Sequence, residues 1–168
     1  MKLIVKNKLI TVGEGSTVTD ENDEEKFKVK GKVFSITRKK FIYDMTGNLQ
    51  FMVRNKFWRF IKTSAFIYDN NNNLVGQLSN SDWDFKNKFK LEKSEKNVEI
   101  SGNLIQFPNI KLNVSIDDKV VGTITKNFNI IRDAFTIDVE DGQDAAFLVA
   151  LVIAIDNIWD ARRNRNDN

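Results

Sequence analysis

Apolar and polar side chains alternate along Phe27-Lys28-Val29-Lys30-Gly31-Lys32-Val33, the period of two that a strand with one buried face requires. The phase then slips, because Phe34 and Ile36 take the parity the lysines held, and this predicts a bulge or turn within Gly31 to Phe34. Lys111-Leu112-Asn113-Val114-Ser115-Ile116 and Ala134-Phe135-Thr136-Ile137-Asp138-Val139-Glu140 alternate in the same way, and both read as strands with one wet face. The opening run MKLIVKNKLITV is broken by Lys6 and Lys8. It falls short of the apolar core of about 7 to 15 residues in a secretory signal and reads as a first strand.

Turn signals separate the strands. Ile42-Tyr43-Asp44-Met45-Thr46-Gly47-Asn48-Leu49 and Ile67-Tyr68-Asp69-Asn70-Asn71-Asn72-Asn73-Leu74 are near copies, and Ile116-Asp117-Asp118-Lys119-Val120-Val121-Gly122 is a third echo. Each is an apolar strand end, an aspartate, a small polar loop and another apolar strand, as in a β-hairpin. Asp44 and Asp69 are expected to accept backbone N–H groups within their own turns. Asp69, Asn71 and Asn73 also imitate the start of an EF-hand calcium loop, but Leu74 stands where that loop needs glycine and Asn80 where it needs glutamate.

One segment breaks the strand pattern. Ala145 to Ile155 is apolar at every position, with Asp144 before it and Asp156-Asn157-Ile158-Trp159 after it. Asp144 suits the amino end of a helix, and Arg162, Arg163 and Arg165 suit the carboxyl end. A helix apolar on all faces must be buried on all faces, yet eleven residues are far fewer than the roughly 20 that cross a bilayer. A chain of one-face-apolar strands can bury such a helix by curling its sheet around it. The expected fold is therefore mostly β, a closed antiparallel barrel around one central hydrophobic C-terminal helix. Residues 1–168 form one domain in this reading, with 144–160 as the helix and 161–168 as a polar tail. Asp156 continues the apolar helix and is expected to hydrogen-bond strand-end backbone amides, since an unpartnered buried carboxylate is costly.

Composition narrows the chemistry. The chain has no cysteine and no histidine among its 168 residues, which excludes disulfides, thiolate metal sites, Ser-His-Asp and Cys-His arrangements and HExxH zinc sites. Cysteine absence favours a cytoplasmic location. The single proline, Pro108, gives no Pro-rich linker between domains. A net charge of +3 permits an anionic partner without the dense basic content of a dedicated nucleic-acid binder.

The order of these features resembles the bacterial branch of the LURP-one-related family, whose fold is similar to the tubby carboxyl-terminal domain and the phospholipid scramblases. The residues that carry the resemblance are Phe27 to Ile36, Tyr43-Asp44-Met45-Thr46-Gly47-Asn48, Val98-Glu99-Ile100-Ser101-Gly102-Asn103, Val120-Val121-Gly122-Thr123-Ile124 and the helix ending in Ala154-Ile155-Asp156. The resemblance implies a barrel of about twelve strands around that helix. It implies little about activity, and the phosphoinositide site of tubby domains has no residue-by-residue match here.

Two stretches interleave cations with large rings. Phe51 to Lys62 contains Arg54, Lys56, Trp58, Arg59 and Lys62, and Trp83 to Lys90 contains Lys86, Lys88 and Lys90. These eight residues are the candidate surface for anionic phospholipid headgroups, which would make the protein a peripheral membrane-binding module. The competing expectation is that the rings fill the barrel and the cations are its solvated face. Trp58 beside Phe57 breaks the alternation, so one of the pair is expected outward or at a rim. The alternative function is a protein-interaction or structural adaptor meeting its partner through the acidic loop Asp20-Glu21-Asn22-Asp23-Glu24-Glu25 or through the barrel surface. Nucleic acid is disfavoured by the low charge.

No enzyme is expected and no cofactor is implied. The crowded acids Asp138, Glu140, Asp141 and Asp144 have structural readings as a strand face, a turn and a helix cap. Gly13-Glu14-Gly15-Ser16 lacks the lysine and spacing of a phosphate loop.

Overall fold

The alternating segments form strands, and the strands close on themselves. A computed structural model describes residues 1–6, 16–31, 38–55, 63–80, 87–102, 109–127 and 134–166. Twelve strands lie among the described residues: β1 (Lys2–Lys6), β2 (Ser16–Asp20), β3 (Glu25–Gly31), β4 (Lys40–Asp44), β5 (Leu49–Asn55), β6 (Ser64–Asp69), β7 (Leu74–Asn80), β8 (Asn87–Glu92), β9 (Val98–Gly102), β10 (Asn109–Ile116), β11 (Lys119–Asn127) and β12 (Ala134–Val139). Each pairs with its neighbours in the chain, and β1 closes the barrel by pairing antiparallel with both β2 and β12, with Leu3 opposite Asp20 and Ile137. Closure leaves no strand edge open.

Parity decides what points inward. On β10, Leu112 and Val114 are buried while Lys111 and Asn113 are exposed; on β12, Phe135, Ile137 and Val139 are buried while Asp138 is exposed. The expected strands therefore stand, with their wet faces outward. The phase slip of Phe34 and Ile36 lies outside the described residues.

The lumen is filled by α1 (Ala145–Asn166). Every residue from Leu148 to Ile155 is at 0% exposure, so the all-round apolar helix meets apolar strand faces on all sides. Asp144 caps it: its Oδ1 accepts the Phe147 N–H at 3.0 Å and its carbonyl accepts the Leu148 N–H at 3.2 Å. The helix continues past the expected end at 160 to Asn166, because residues 161–166 contain neither proline nor glycine to stop it and their arginines suit a carboxyl end. The helix also sets a size limit on the wall. A Cβ on Gly122 of β11 would sit 2.6 Å from the Leu148 Cδ2 and 2.6 Å from the Asp138 carbonyl oxygen, so only glycine lets β11, β12 and α1 approach this closely.

Strand pairs β2–β3, β4–β5 and β6–β7 turn by one device. Asp20, Asp44 and Asp69 each accept, through Oδ1, the backbone N–H two and four residues on, at 2.7 to 3.0 Å. The third loop residue, Asp23, Gly47 or Asn72, has φ of 60°, 90° or 65°, completing a type I turn with a left-handed residue. A register shift follows every one of these turns. The third echo differs, since Asp117 and Asp118 have φ of 49° and 65° and make the tight two-residue mirror-image turn. The third copy of the aspartate device is instead Asp20, which the sequence reading left inside an acidic loop. These turns, the β8–β9 loop and the β12–α1 connection share one end of the barrel, the turn end. The carboxyl half of α1 runs toward the other, where Asp156 meets Lys40 and Lys126.

Candidate anion-binding face

Alternation along β4 and β6 decides which aromatic rings face out. On β4, Ile42 is inward, so Phe41 and Tyr43 are outward and half-buried. On β6, Ala65 and Ile67 are inward, so Phe66 and Tyr68 are outward and half-buried. Between them, β5 turns Phe51 and Val53 inward and Arg54 outward. Register lays these side chains in rows: Lys28 opposite Tyr43, Lys30 opposite Phe41, Phe41 opposite Met52, Met52 opposite Tyr68, and Arg54 opposite Phe66. The outer wall from β3 to β6 is thus a sheet of rings with cations set among them.

The cations touch the rings. The Arg54 guanidinium lies 5.0 Å from the Phe66 ring centroid and 5.1 Å from that of Tyr68, and its Nε donates to the Tyr68 hydroxyl at 3.1 Å. The Lys30 ammonium lies 5.5 Å from the Tyr43 centroid, within reach of the ring quadrupole. The Arg54 Nη2 donates to the same Tyr68 hydroxyl, and the paired bonds with the two ring contacts hold Arg54 against the wall. The basic side of this wall is not neutralised locally: Lys28 and Lys30 are exposed and form no ion pair among the described residues.

Of the eight candidates read from the sequence, Arg54, Lys88 and Lys90 are placed. Lys88 and Lys90 are exposed on β8, and Phe89 between them is wholly buried, which is the alternation expected of a strand with a solvated basic face. Lys90 pairs with Glu99 on β9 at 3.8 Å. Lys56, Trp58, Arg59, Lys62 and Lys86 lie outside the described residues. Sequence reasoning missed Phe41, Tyr43, Phe66, Tyr68, Lys28 and Lys30 as members of one surface. The signal was present in the repeated Ile-Tyr-Asp, where an inward isoleucine forces the next tyrosine outward.

A second polar cluster sits inside the end of the barrel opposite the turns. Asp156 of α1 lies between the ammonium groups of Lys40 at 3.7 Å and Lys126 at 4.0 Å, and all three side chains are buried. Two lysines at strand ends thus meet the carboxylate. Burial pushes the Lys40 ammonium below its ordinary range, and the Asp156 charge opposes that shift. Trp159 seals the cluster, stacked 6.0 Å from Phe135 and edge-on 6.1 Å from Phe89, with the Lys126 ammonium 4.8 Å from its indole.

Asp69 and Asp138 have structural partners. Asp69 accepts from the Asn71 and Asn73 backbone and from the Asn73 side chain at 2.7 to 3.0 Å, so the residues that imitate a calcium loop form a hairpin turn. Asp138 faces Lys2 at 3.9 Å. Among the described residues no three acidic side chains converge as a metal site, and no helix is long and apolar enough to cross a membrane.

Comparison with known proteins agrees with this architecture. A family model described as LURP-one-related matches residues 1–156. The X-ray structure of a protein from Arabidopsis thaliana superposes with a TM-score of 0.58 at 18% identity, covering 94% of this chain and 91% of that one; at that identity the likeness concerns the fold. A search of curated proteins gave no match.

Proposed function

Starting from the fact that this chain belongs to the LURP-one-related family, we propose that it is a non-catalytic binding domain that lays the outer wall of β3 to β6 against anionic phospholipid. The observation that carries this reading is the outward placement of Phe41, Tyr43, Phe66 and Tyr68. Rings whose only task was to fill the barrel would point inward, as Phe89 and Phe135 do. On the outside they cost solvent exposure of apolar surface, which an interfacial layer of headgroups and upper acyl chain relieves. Lys28, Lys30 and Arg54 stand beside them at headgroup height, and each basic residue near an anionic surface contributes about 1 kcal/mol. Lys88 and Lys90 extend the basic wall around the barrel. The protein would then be a peripheral, cytoplasm-facing membrane module with no spanning segment of its own among the described residues.

The test is cosedimentation with neutral and with anionic vesicles at low and high salt. The expected result is binding to anionic vesicles alone, weakened by salt, and reduced at least tenfold by Lys28→Ala/Lys30→Ala/Arg54→Ala in a protein whose circular dichroism is unchanged. The double replacement Lys28→Ala/Lys30→Ala, which leaves the Arg54 stack in place, covers the case in which the triple variant loses structure. No sedimentation at either salt would sink the membrane reading. Displacement by oligonucleotide in preference to vesicles would replace it with nucleic-acid binding.

A further inference from the structure

The large apolar side chains left exposed among the described residues gather at one end of the barrel. They are Met1, Met45, Leu74 and Val120. Met1 is tied to the end of β12 by paired backbone bonds with Val139, Met45 lies in the β4–β5 turn, Leu74 opens β7 and Val120 is the second residue of β11. All four therefore stand at the turn end. Leu74 also lines a cleft of about 610 Å³ that opens there between the strand ends and the start of α1. Its floor holds Phe51, Val75, Ile116 and Phe147, all half-buried and packed on the core, with the Phe51 and Phe147 rings 5.8 Å apart. A bulge adds Val75: register passes from Ile67 opposite Gly76 to Tyr68 opposite Leu74, leaving Val75 unpaired. Exposed apolar surface collected at one place and rimmed by polar residues marks a site of contact.

The charge at this end is negative although the whole chain is +3. The connections there, β2–β3, β4–β5, β6–β7, β8–β9, β10–β11 and β12–α1, carry nine acids and two lysines, Lys93 and Lys96. On the cleft lining the same two lysines stand against three carboxylates, Asp69, Glu95 and Asp144. Asp69 and Asp144 accept from neutral amides, which leaves their negative charge in place. Asp117 and Asp141, both exposed, adjoin the lining residues Ile116 and Gly142 in the chain. This field repels phosphate groups and attracts cations. It also extends well beyond the cleft, so its complement is a chain bearing several cations rather than one small ion.

We propose that the turn end docks a basic segment of a partner protein. An aromatic or aliphatic anchor of that segment enters the cleft over Phe51 and Phe147, and its flanking lysines or arginines meet the surrounding acids. The site uses none of the cations on the β3 to β6 wall, so it goes beyond the membrane reading and stands or falls apart from it.

The probe is the amidated peptide Lys-Lys-Leu-Trp-Lys-Lys carrying an uncharged fluorophore, followed by fluorescence anisotropy. Its controls are Lys-Lys-Ser-Ser-Lys-Lys, which keeps the charge without the anchor, and Glu-Glu-Leu-Trp-Glu-Glu, which keeps the anchor and reverses the charge. Saturable one-to-one binding is expected, weakened by salt, at least about tenfold weaker without the anchor and lost with the acidic peptide. Val75→Trp, which fills the floor, should bring the anchored peptide down to the level of the anchorless one. Glu95→Lys/Asp141→Lys should weaken binding several-fold, and Lys28→Ala/Lys30→Ala should leave it unchanged. If Val75→Trp does not fold, the anchorless peptide and the charge reversal decide. No saturable binding, equal binding without the anchor, indifference to the charge reversal, or loss through Lys28→Ala/Lys30→Ala would overturn the proposal. Concentration-dependent self-association abolished by the same reversal would assign this end to a second copy instead.

Discussion

Asp156 carries a carboxylate into a helix surrounded by apolar side chains, and its neighbours explain how it is tolerated. Lys40 and Lys126 reach it from β4 and β11, each within 4.0 Å and each with a buried side chain. Such an arrangement adds little net stability, since desolvation offsets most of the attraction, but removing one member leaves buried charge uncompensated. Asp156→Ala should therefore destabilise the protein by about 3–5 kcal/mol in urea denaturation, while any vesicle binding by the folded fraction stays unchanged. An unchanged denaturation midpoint with lost binding would move Asp156 from structure to function.

At the scale of elements, the repeated aspartate hairpin links sequence to pH response. The Asp44 carboxyl is held below its ordinary 3.8 by the Thr46 hydroxyl and then the Asn48 and Thr46 N–H groups. Asp69 is held below 3.8 by the Asn73 side-chain amide and then the Asn73 and Asn71 N–H groups. A folded pKa below the unfolded one means the ionised form favours the fold. That contribution is complete above the unfolded value of 3.8 and is lost as pH falls below it through the folded pKa. Thermal denaturation followed from about pH 6 to about pH 2.5 should thus show a drop on the acid side that Asp44→Ala/Asp69→Ala makes shallower, with lower stability than the parent at neutral pH. An acid limb identical in both proteins would mean the turns do not carry the effect. The same device at Asp20 escaped the sequence reading because Glu24 stands where the other two turns have asparagine, and the surrounding acids masked the pattern.

For the whole molecule, the helix is the core and the strands are its wrapping. Strand faces bearing Leu3, Val29, Ile42, Val53, Ile67, Leu78, Ile100, Leu112, Ile124 and Ile137, all wholly buried, have α1 as their apolar partner. Ending the chain after Val139 should leave no cooperative unfolding transition by circular dichroism, because burying each such side chain is worth roughly 1.5–3 kcal/mol and that burial is lost together. A truncated barrel that melts cooperatively would show that the wall stands alone. Local chemistry was enough for the strands at 111–116 and 134–139, the capped helix start at Asp144 and the burial of 148–155, since alternation, cap and all-round apolarity are properties of neighbouring residues. Closure of the barrel was legible only as the way to satisfy that helix. What tertiary structure alone decided depends on residues far apart in the chain. It set the Asp156 contacts with Lys40 and Lys126, gathered Tyr43, Arg54 and Tyr68 on one outer wall, and stood Phe51 of β5 against Phe147 of α1. Those contacts follow from register, bulges and the angle at which strands from opposite parts of the chain meet the helix, and no local period records them.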